Sequence, residues 1–196
     1  MGKLTNKTTN EQIEIVDEQA SQQSSVNQST RIIMLHSEIN EFTISYVIGQ
    51  LFQLASISHD PIHLVISTYG GSVDEMLSLY DVIKFLPCPI HTIALGKVMS
   101  AGVLLLASGT KGNRMIGKSA RIMIHPIMGQ MGGNIFELAN ECKEQQRLQD
   151  LMIECLQKET KMSKKKINEI MKSGHDYFLL PNEAIKIGIV DKIIGE

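Results

Sequence analysis

Tryptophan is absent from this chain of 196 residues and aromatic side chains make up only 5% of it, so its core must be built from aliphatic groups rather than stacked rings. Cysteine is scarce: Cys88, Cys142 and Cys155 form no CxxC pair and are odd in number, which fits neither a disulfide scaffold nor a zinc finger. Reduced thiols in a cytoplasmic setting are expected, with Cys142 and Cys155 packed on one apolar helical face. Charge of one sign is not in excess, since 19 Lys and Arg stand against 21 Asp and Glu for a formal net charge of −2. That balance argues against a dedicated nucleic-acid or anionic-membrane surface. No stretch approaches the roughly 20 apolar residues of a membrane span, and no apolar signal core opens the chain, so neither insertion nor secretion is expected. What is present, 43% hydrophobic and 20% charged residues, is the composition of one ordinary globular domain.

Residues 1–30 are crowded with Thr, Asn, Gln, Ser and Glu and are expected to form a flexible polar arm, because such a segment buries too little to offset its ordering entropy. From Arg31 onward a single domain is expected. Ile32-Ile33-Met34-Leu35 reads as a buried strand, and Asn40 caps a helix over about 41–58. A second strand, Ile62–Ile66, ends in the turn Tyr69-Gly70-Gly71. A helix follows over about 72–86, with Val73, Met76, Tyr80 and Ile83 at helical spacing, and Pro87 stops it. Ile90–Leu95 reads as a third strand, Gly96 as a turn, and residues 100–108 as a buried helix. Three such strand–turn–helix units make α/β the fold class. Strands near 114–116 and 121–125 come next, then a glycine-rich link from Gly129 to Gly133. A long helix over about 135–159 carries apolar Leu138, Cys142, Leu148, Met152 and Cys155. Ser163 caps a shorter helix, and the chain closes with Tyr177–Leu179, a helix started by Pro181, and a strand over 189–194.

Three places put a reactive group where backbone geometry would help it. Ser100 stands between a strand and an apolar helix, as a nucleophile on an elbow does and as a simple N-cap serine also does. Gly70-Gly71 can aim an N–H at a substrate oxyanion or merely turn the chain. His125, at a strand end before Pro126, can be a general base or a hydrogen-bonded structural histidine. None of His36, His59, His63, His91 and His175 has a metal-ligand spacing such as HExxH, and Gly70-Gly71 lacks a phosphate-loop pattern.

Taken in order, Tyr69-Gly70-Gly71, the helical Leu79-Tyr80-Asp81, Gly96-x-x-Met99-Ser100-Ala101-Gly102, Arg121-Ile122-Met123-Ile124-His125, Asp176-Tyr177-Phe178-Leu179 with Glu183-Ala184, and Gly188-Ile189-Val190-Asp191 resemble the proteolytic subunit of the Clp protease over about residues 31–196. The resemblance implies the ClpP/crotonase-like α/β fold of repeated strand–turn–helix units, with residues of about 135–159 as a protruding handle helix. It implies a serine endopeptidase acting on unfolded proteins and peptides through the triad Ser100, His125 and Asp176, with Gly71 and Ala101 donating to the oxyanion. Substrate would lie extended between Gly70–Val73 and Gly129–Gly133. The family also implies a homo-oligomeric chamber of stacked heptameric rings, fed by an AAA+ unfoldase of the ClpX or ClpA type, which alone uses ATP; the subunit needs neither cofactor nor metal. Several positions depart from the family pattern. Tyr69 replaces a proline, Pro126-Ile127 a Gln-Pro, Ala101 a methionine and Tyr177 an arginine, while His63, Val65, Met115 and Gly117 thin an aromatic docking pocket in which Phe85 remains. Two other readings follow from these features. One is a catalytically impaired subunit acting as scaffold or regulator in a mixed ring; the other is an acyl-CoA enzyme of the crotonase type, against which the Ser100 and His125 pair counts.

Overall fold

The structure is a computed structural model and describes residues 30–196, so the expected polar arm lies outside the described residues except for Thr30. Strands β1 (Ile32–Leu35), β2 (Ile62–Thr68) and β3 (Ile90–Met99) run parallel, with Ile32 beside His63 and His63 beside His91. The aliphatic run of β2 is buried along most of its length, as suits a strand covered on both faces, whereas β1 leaves Ile32 and Met34 exposed on one face. Helix α1 (Glu41–Ile57) returns the chain from β1 to β2, and its start is fixed by a reciprocal cap in which Asn40 Oδ1 accepts from Thr43 N–H and Thr43 Oγ1 accepts from Asn40 N–H, both at 3.1 Å. Helix α2 (Val73–Phe85) returns from β2 to β3 and begins at Ser72, whose hydroxyl accepts from Glu75 N–H at 3.3 Å.

Gly96 is not the turn expected from the sequence. It lies inside β3 at φ 63°, and the β2–β3 register slips there, from Ile66 beside Ala94 to Thr68 beside Val98. A glycine tolerates that left-handed backbone, so the strand bulges and continues to Met99 instead of ending at Leu95. The bulge divides β3 between two sets of neighbours. Its first half pairs with β4 (Met115–Ile116), itself paired with β7 (Lys192–Ile193); its second half pairs with β5 (Arg121–Ile124). The closing strand is shorter than expected, because Ile189 and Val190 are buried without joining the ladder.

Helix α3 (Ala101–Ala107) starts directly from β3, and all seven of its residues are buried. Gly102 sets its depth: a Cβ there would come within 2.6 Å of Thr68 Cγ2, so the helix start lies tight against β2. Helix α4 (Ile135–Glu159) has the expected boundaries, capped by Asn134 and Glu137. Only its C-terminal half is docked, through Met152, Ile153, Cys155 and Leu156; Ile135 and Phe136 are 74% and 78% exposed. Cys142 is therefore exposed, against the expectation that it packs, because the apolar stripe continues past the end of the core. Helix α5 (Lys164–Lys172), strand β6 (Tyr177–Leu179) and helix α6 (Pro181–Lys186) complete the fold.

The docked end of α4 is tied down by charge. Glu159, 3% exposed, lies 2.8 Å from Lys84 Nζ and 2.9 Å from Lys111 Nζ, and accepts from the Tyr80 hydroxyl at 3.0 Å. Arg114, equally buried, donates to Ala107 and Glu159 carbonyls and grips Asp191 with Nε and Nη2 at 2.9 and 2.6 Å. Burial works against the charge of Glu159, but the hydrogen bonds from Lys84 and Lys111 outweigh it and hold the carboxyl below its ordinary value. Burial likewise opposes the charge of Asp191, and Arg114 holds it low. Lys111 is drawn down by its own burial despite Glu159. Those two directions conflict for a simple ion pair, and the carboxylate governs, because its donors surround a buried group while the Lys111 side chain is 52% exposed.

Glu159→Gln is expected to cost about 2–3 kcal/mol, less than the usual loss from breaking a buried pair because both ammonium heads reach water. That loss lowers the melting temperature by roughly 5–10 °C in a chain of this size. A group with a depressed folded-state pKa stabilises fully above its unfolded value and loses that contribution as pH falls. The gap between wild type and Glu159→Gln in chemical denaturation should therefore be widest near neutral pH and close below about 4.5, the ordinary value for this carboxyl.

Candidate active site

Ser100 sits at the junction of β3 and α3 with φ 54° and ψ −127°, one of two described non-glycine residues at positive φ. A side chain bears real strain there, of order 1–3 kcal/mol. Although Ser100 occupies the N-cap position, its hydroxyl caps nothing, so the plain capping role open on sequence grounds does not describe it. The elbow is held from below: Ser100 N–H donates to the Met123 carbonyl at 2.9 Å, and Val103 N–H donates to the Ser100 carbonyl at 3.0 Å. The hydroxyl is thus left without a partner at the helix start, and Ser100 lines a surface cleft.

The facing wall is the turn after β2. Ile39 N–H donates to the Gly70 carbonyl at 2.9 Å and Ser72 N–H to the Ile39 carbonyl at 2.8 Å, a one-residue bridge that leaves the Gly71 N–H outside the ladder. Both glycines are required. A Cβ on Gly70, at φ 106°, would stand 2.6 Å from Ser100 Cβ, and one on Gly71, at φ 149°, would collide with the Ile39 backbone. Across the cleft, the Ala101 N–H opens α3 and has no intrahelical partner. The Gly71 and Ala101 N–H groups are therefore two backbone donors with no partner in strand or helix.

His125 follows β5 and is 7% exposed. Strand β6 pairs with β5 antiparallel, Ile122 beside Leu179, Met123 beside Phe178, and Ile124 beside Tyr177. The pairing ends there, and the next residues beyond the two strand ends are His125 and Asp176. The parallel β3–β5 register, Met99 beside Met123, brings Ser100 to the same end. Asp176 is exposed, and no hydrogen bond links His125 to Ser100 or to Asp176 among the described residues. Catalytic hydrogen bonds are often long before substrate binds and tighten in the complex.

These groups border a cleft of about 180 Å³ lined by Tyr69, Gly71, Val73, Ser100, Ala101 and His125, with Pro126, Ile127, Met128 and Met152 at one end. Val73 is the first residue of α2 rather than part of a strand edge. Gly129 and Gly133 are exposed outside this lining, on the segment that leads into α4, where Gly129 faces the Gln145 side chain. Gln149 Oε1 accepts from Ile127 N–H at 2.8 Å and so ties the chain beyond His125 to α4. Among the described residues no group of three or more His, Cys, Asp or Glu is placed to hold a metal ion, and no helix is long and apolar enough to cross a membrane. Phe52, which carries no sequence signal of function, lies 6.4 Å from Phe85 between ring centroids, and both rings are exposed. A helical stripe gives no sign that an exposed position in α1 will meet the end of α2.

A serine on a strained strand-to-helix elbow, flanked by free backbone donors and by a histidine at the end of the next strand, is the constellation of a serine hydrolase. The model of the Clp protease family matches residues 15–196. The chain belongs to that family, and is a peptidase of the Clp proteolytic-subunit type. It is 35% identical over 165 residues to the ATP-dependent Clp protease proteolytic subunit of Borrelia garinii subsp. bavariensis, covering 84% of each chain. It is 33% identical over 167 residues to the protein of the same name from Deinococcus radiodurans, covering 85% of this chain and 81% of that one.

Proposed function

We propose that the chain is a cytoplasmic serine endopeptidase that cuts unfolded proteins and peptides inside an oligomeric chamber of its own subunits. The observation that carries this reading is the strained elbow at Ser100, which shares a cleft with the buried His125. Ser100 Oγ attacks the scissile carbonyl while His125 takes its proton; the same imidazole then protonates the leaving amine, and water repeats the sequence to release the acyl group. Asp176 fixes the imidazole tautomer and stabilises the cation. The Gly71 and Ala101 N–H groups hold the oxyanion, and losing one such donor typically costs about 2.7–4 kcal/mol of transition-state stabilisation. Substrate binds extended along Gly70–Val73, with Gly129–Gly133 on the other side, mostly through main-chain hydrogen bonds that tolerate many sequences. Hydrolysis needs only water and these groups.

The exposed apolar surface supports assembly. Met128, Ile135, Phe136, Phe178 and Leu180 are 54–79% exposed around the cleft and the free half of α4, far more apolar side chain than a lone subunit usually leaves in water. Further copies of the chain would cover it, in the stacked heptameric rings that the family resemblance implies. The exposed Phe52–Phe85 pair supports docking of an ATP-driven unfoldase. A second reading, an impaired subunit in a mixed ring, is favoured by one observation, the missing bond between His125 and Asp176. Light scattering together with digestion assays separates them. The chamber reading expects a particle many times the 21.8 kDa subunit that cleaves short peptides and leaves a folded globular protein intact. A monomer that digests the folded protein would contradict it.

A further inference from the structure

We propose that the recess on the far side of Tyr69 from His125 is a substrate subsite for aspartate or glutamate side chains, with Lys97 as the group that recognises the carboxylate. The inference rests on the reading of Ser100 as nucleophile and adds a substrate class to it. Two hollows flank the turn at Gly70-Gly71. One is the cleft of Ser100; the other, of about 480 Å³, is lined by His36, Ser37, Glu38, Ser67 and Lys97, and the two share the Tyr69 and Gly71 walls. With Ser100 Cβ directly beneath Gly70, a peptide lying across the nucleophile has residues on both sides of its scissile bond, one towards each hollow.

Lys97 is aimed into the second hollow by the bulge at Gly96, which re-registers the strand just before it. Its Nζ stands 4.5 Å from the centre of the Tyr69 ring, close enough for the cation to hold the ring and the ring to hold the cation. Lys97 is half-buried, yet among the described residues it has no ion-pair partner. Its neighbour across the β3–β5 ladder is Arg121, which points to the same face of the sheet and also lacks an ion-pair partner there. Two adjacent cations that form no ion pair, beside a nucleophile, leave an ammonium head that an acidic side chain can pair with. His36 and Glu38 also border the hollow. Glu38 opposes the binding of a carboxylate, which makes it the natural control.

The test uses purified full-length protein in its assembled state and quenched fluorescent peptides that share one cleavage sequence but carry Glu, Gln or Lys at each position flanking the cut. For wild type, the ratio of kcat/KM for the Glu peptide to that for the isosteric Gln peptide should exceed one at one flank only, by about 1.4- to fivefold, the range for a partly exposed ion pair, and should shrink with added salt. Lys97→Gln should bring that ratio to about one, Lys97→Glu should invert it in favour of the Lys peptide, and Glu38→Gln should raise it. Equal ratios in wild type and Lys97→Gln, with Ser100 still labelled by a fluorophosphonate, would overturn the subsite alone. Loss of both cleavage and labelling in wild type would overturn the nucleophile reading and the subsite with it.

Discussion

Ser100→Ala is expected to lower kcat for peptide hydrolysis by about 10⁴- to 10⁶-fold while leaving the fold and the assembly intact. The size follows from the division of labour in the cleft. The Gly71 and Ala101 donors and the binding surface remain in the mutant, but no hydroxyl is left for His125 to activate. Losing a nucleophile removes covalent catalysis as a unit, so further mutation of His125 in the Ser100→Ala background should cost little more. Stability offers a second reading of the same variant. Alanine at φ 54° keeps the backbone strain without its catalytic use, so the melting temperature should change little. A variant that retains more than about a tenth of wild-type turnover would remove Ser100 from the mechanism.

Asp176→Asn carries the second large effect, a fall in kcat of about 10⁴-fold with assembly unchanged. The amide preserves shape and the β5–β6 pairing, so only the charge and one of the two accepting oxygens are lost. An asparagine can present its N–H₂ to the ring and stabilise the wrong tautomer, which leaves the imidazole nitrogen facing Ser100 protonated and unable to act as base. The exposed carboxylate makes this prediction discriminating. If Asp176 closes on His125 only in the assembled, substrate-bound particle, wild type and Asp176→Asn should be equally poor as dilute separated subunits and diverge on assembly. If the two have equal turnover in the assembled particle, the impaired-subunit reading gains and the triad loses its third member.

Much of this architecture is legible in the sequence because it is local. The boundaries of α4 follow from the glycine-rich link before it and a sustained apolar stripe, and those of α5 from Ser163 and Gly174. Ser100 and His125 stand out because each ends a strand. What was not legible depends on alignment between distant segments. Gly96 reads as a turn until the slipped register with β2 shows that a bulge serves better. Cys142 continues an apolar stripe correctly, but nothing in the periodicity says that the core ends before it. The pairing of β5 with β6, beyond whose ends His125 and Asp176 come next, is long-range, and so is the web of Tyr80, Lys84, Lys111, Arg114 and Asp191 around Glu159. Lys97 illustrates the same limit: in sequence it is one cation after a glycine, and only the fold shows it stacked on Tyr69 beside the nucleophile.

The account stands on Ser100 being a serine activated by its surroundings. The most direct measurement is the intact mass of the assembled protein after treatment with a fluorophosphonate, followed by peptide mapping of the adduct. One adduct per subunit, located on Ser100 and absent from Ser100→Ala, is the result expected. An assembled particle that takes up no adduct, or takes it up at another residue, would contradict the account.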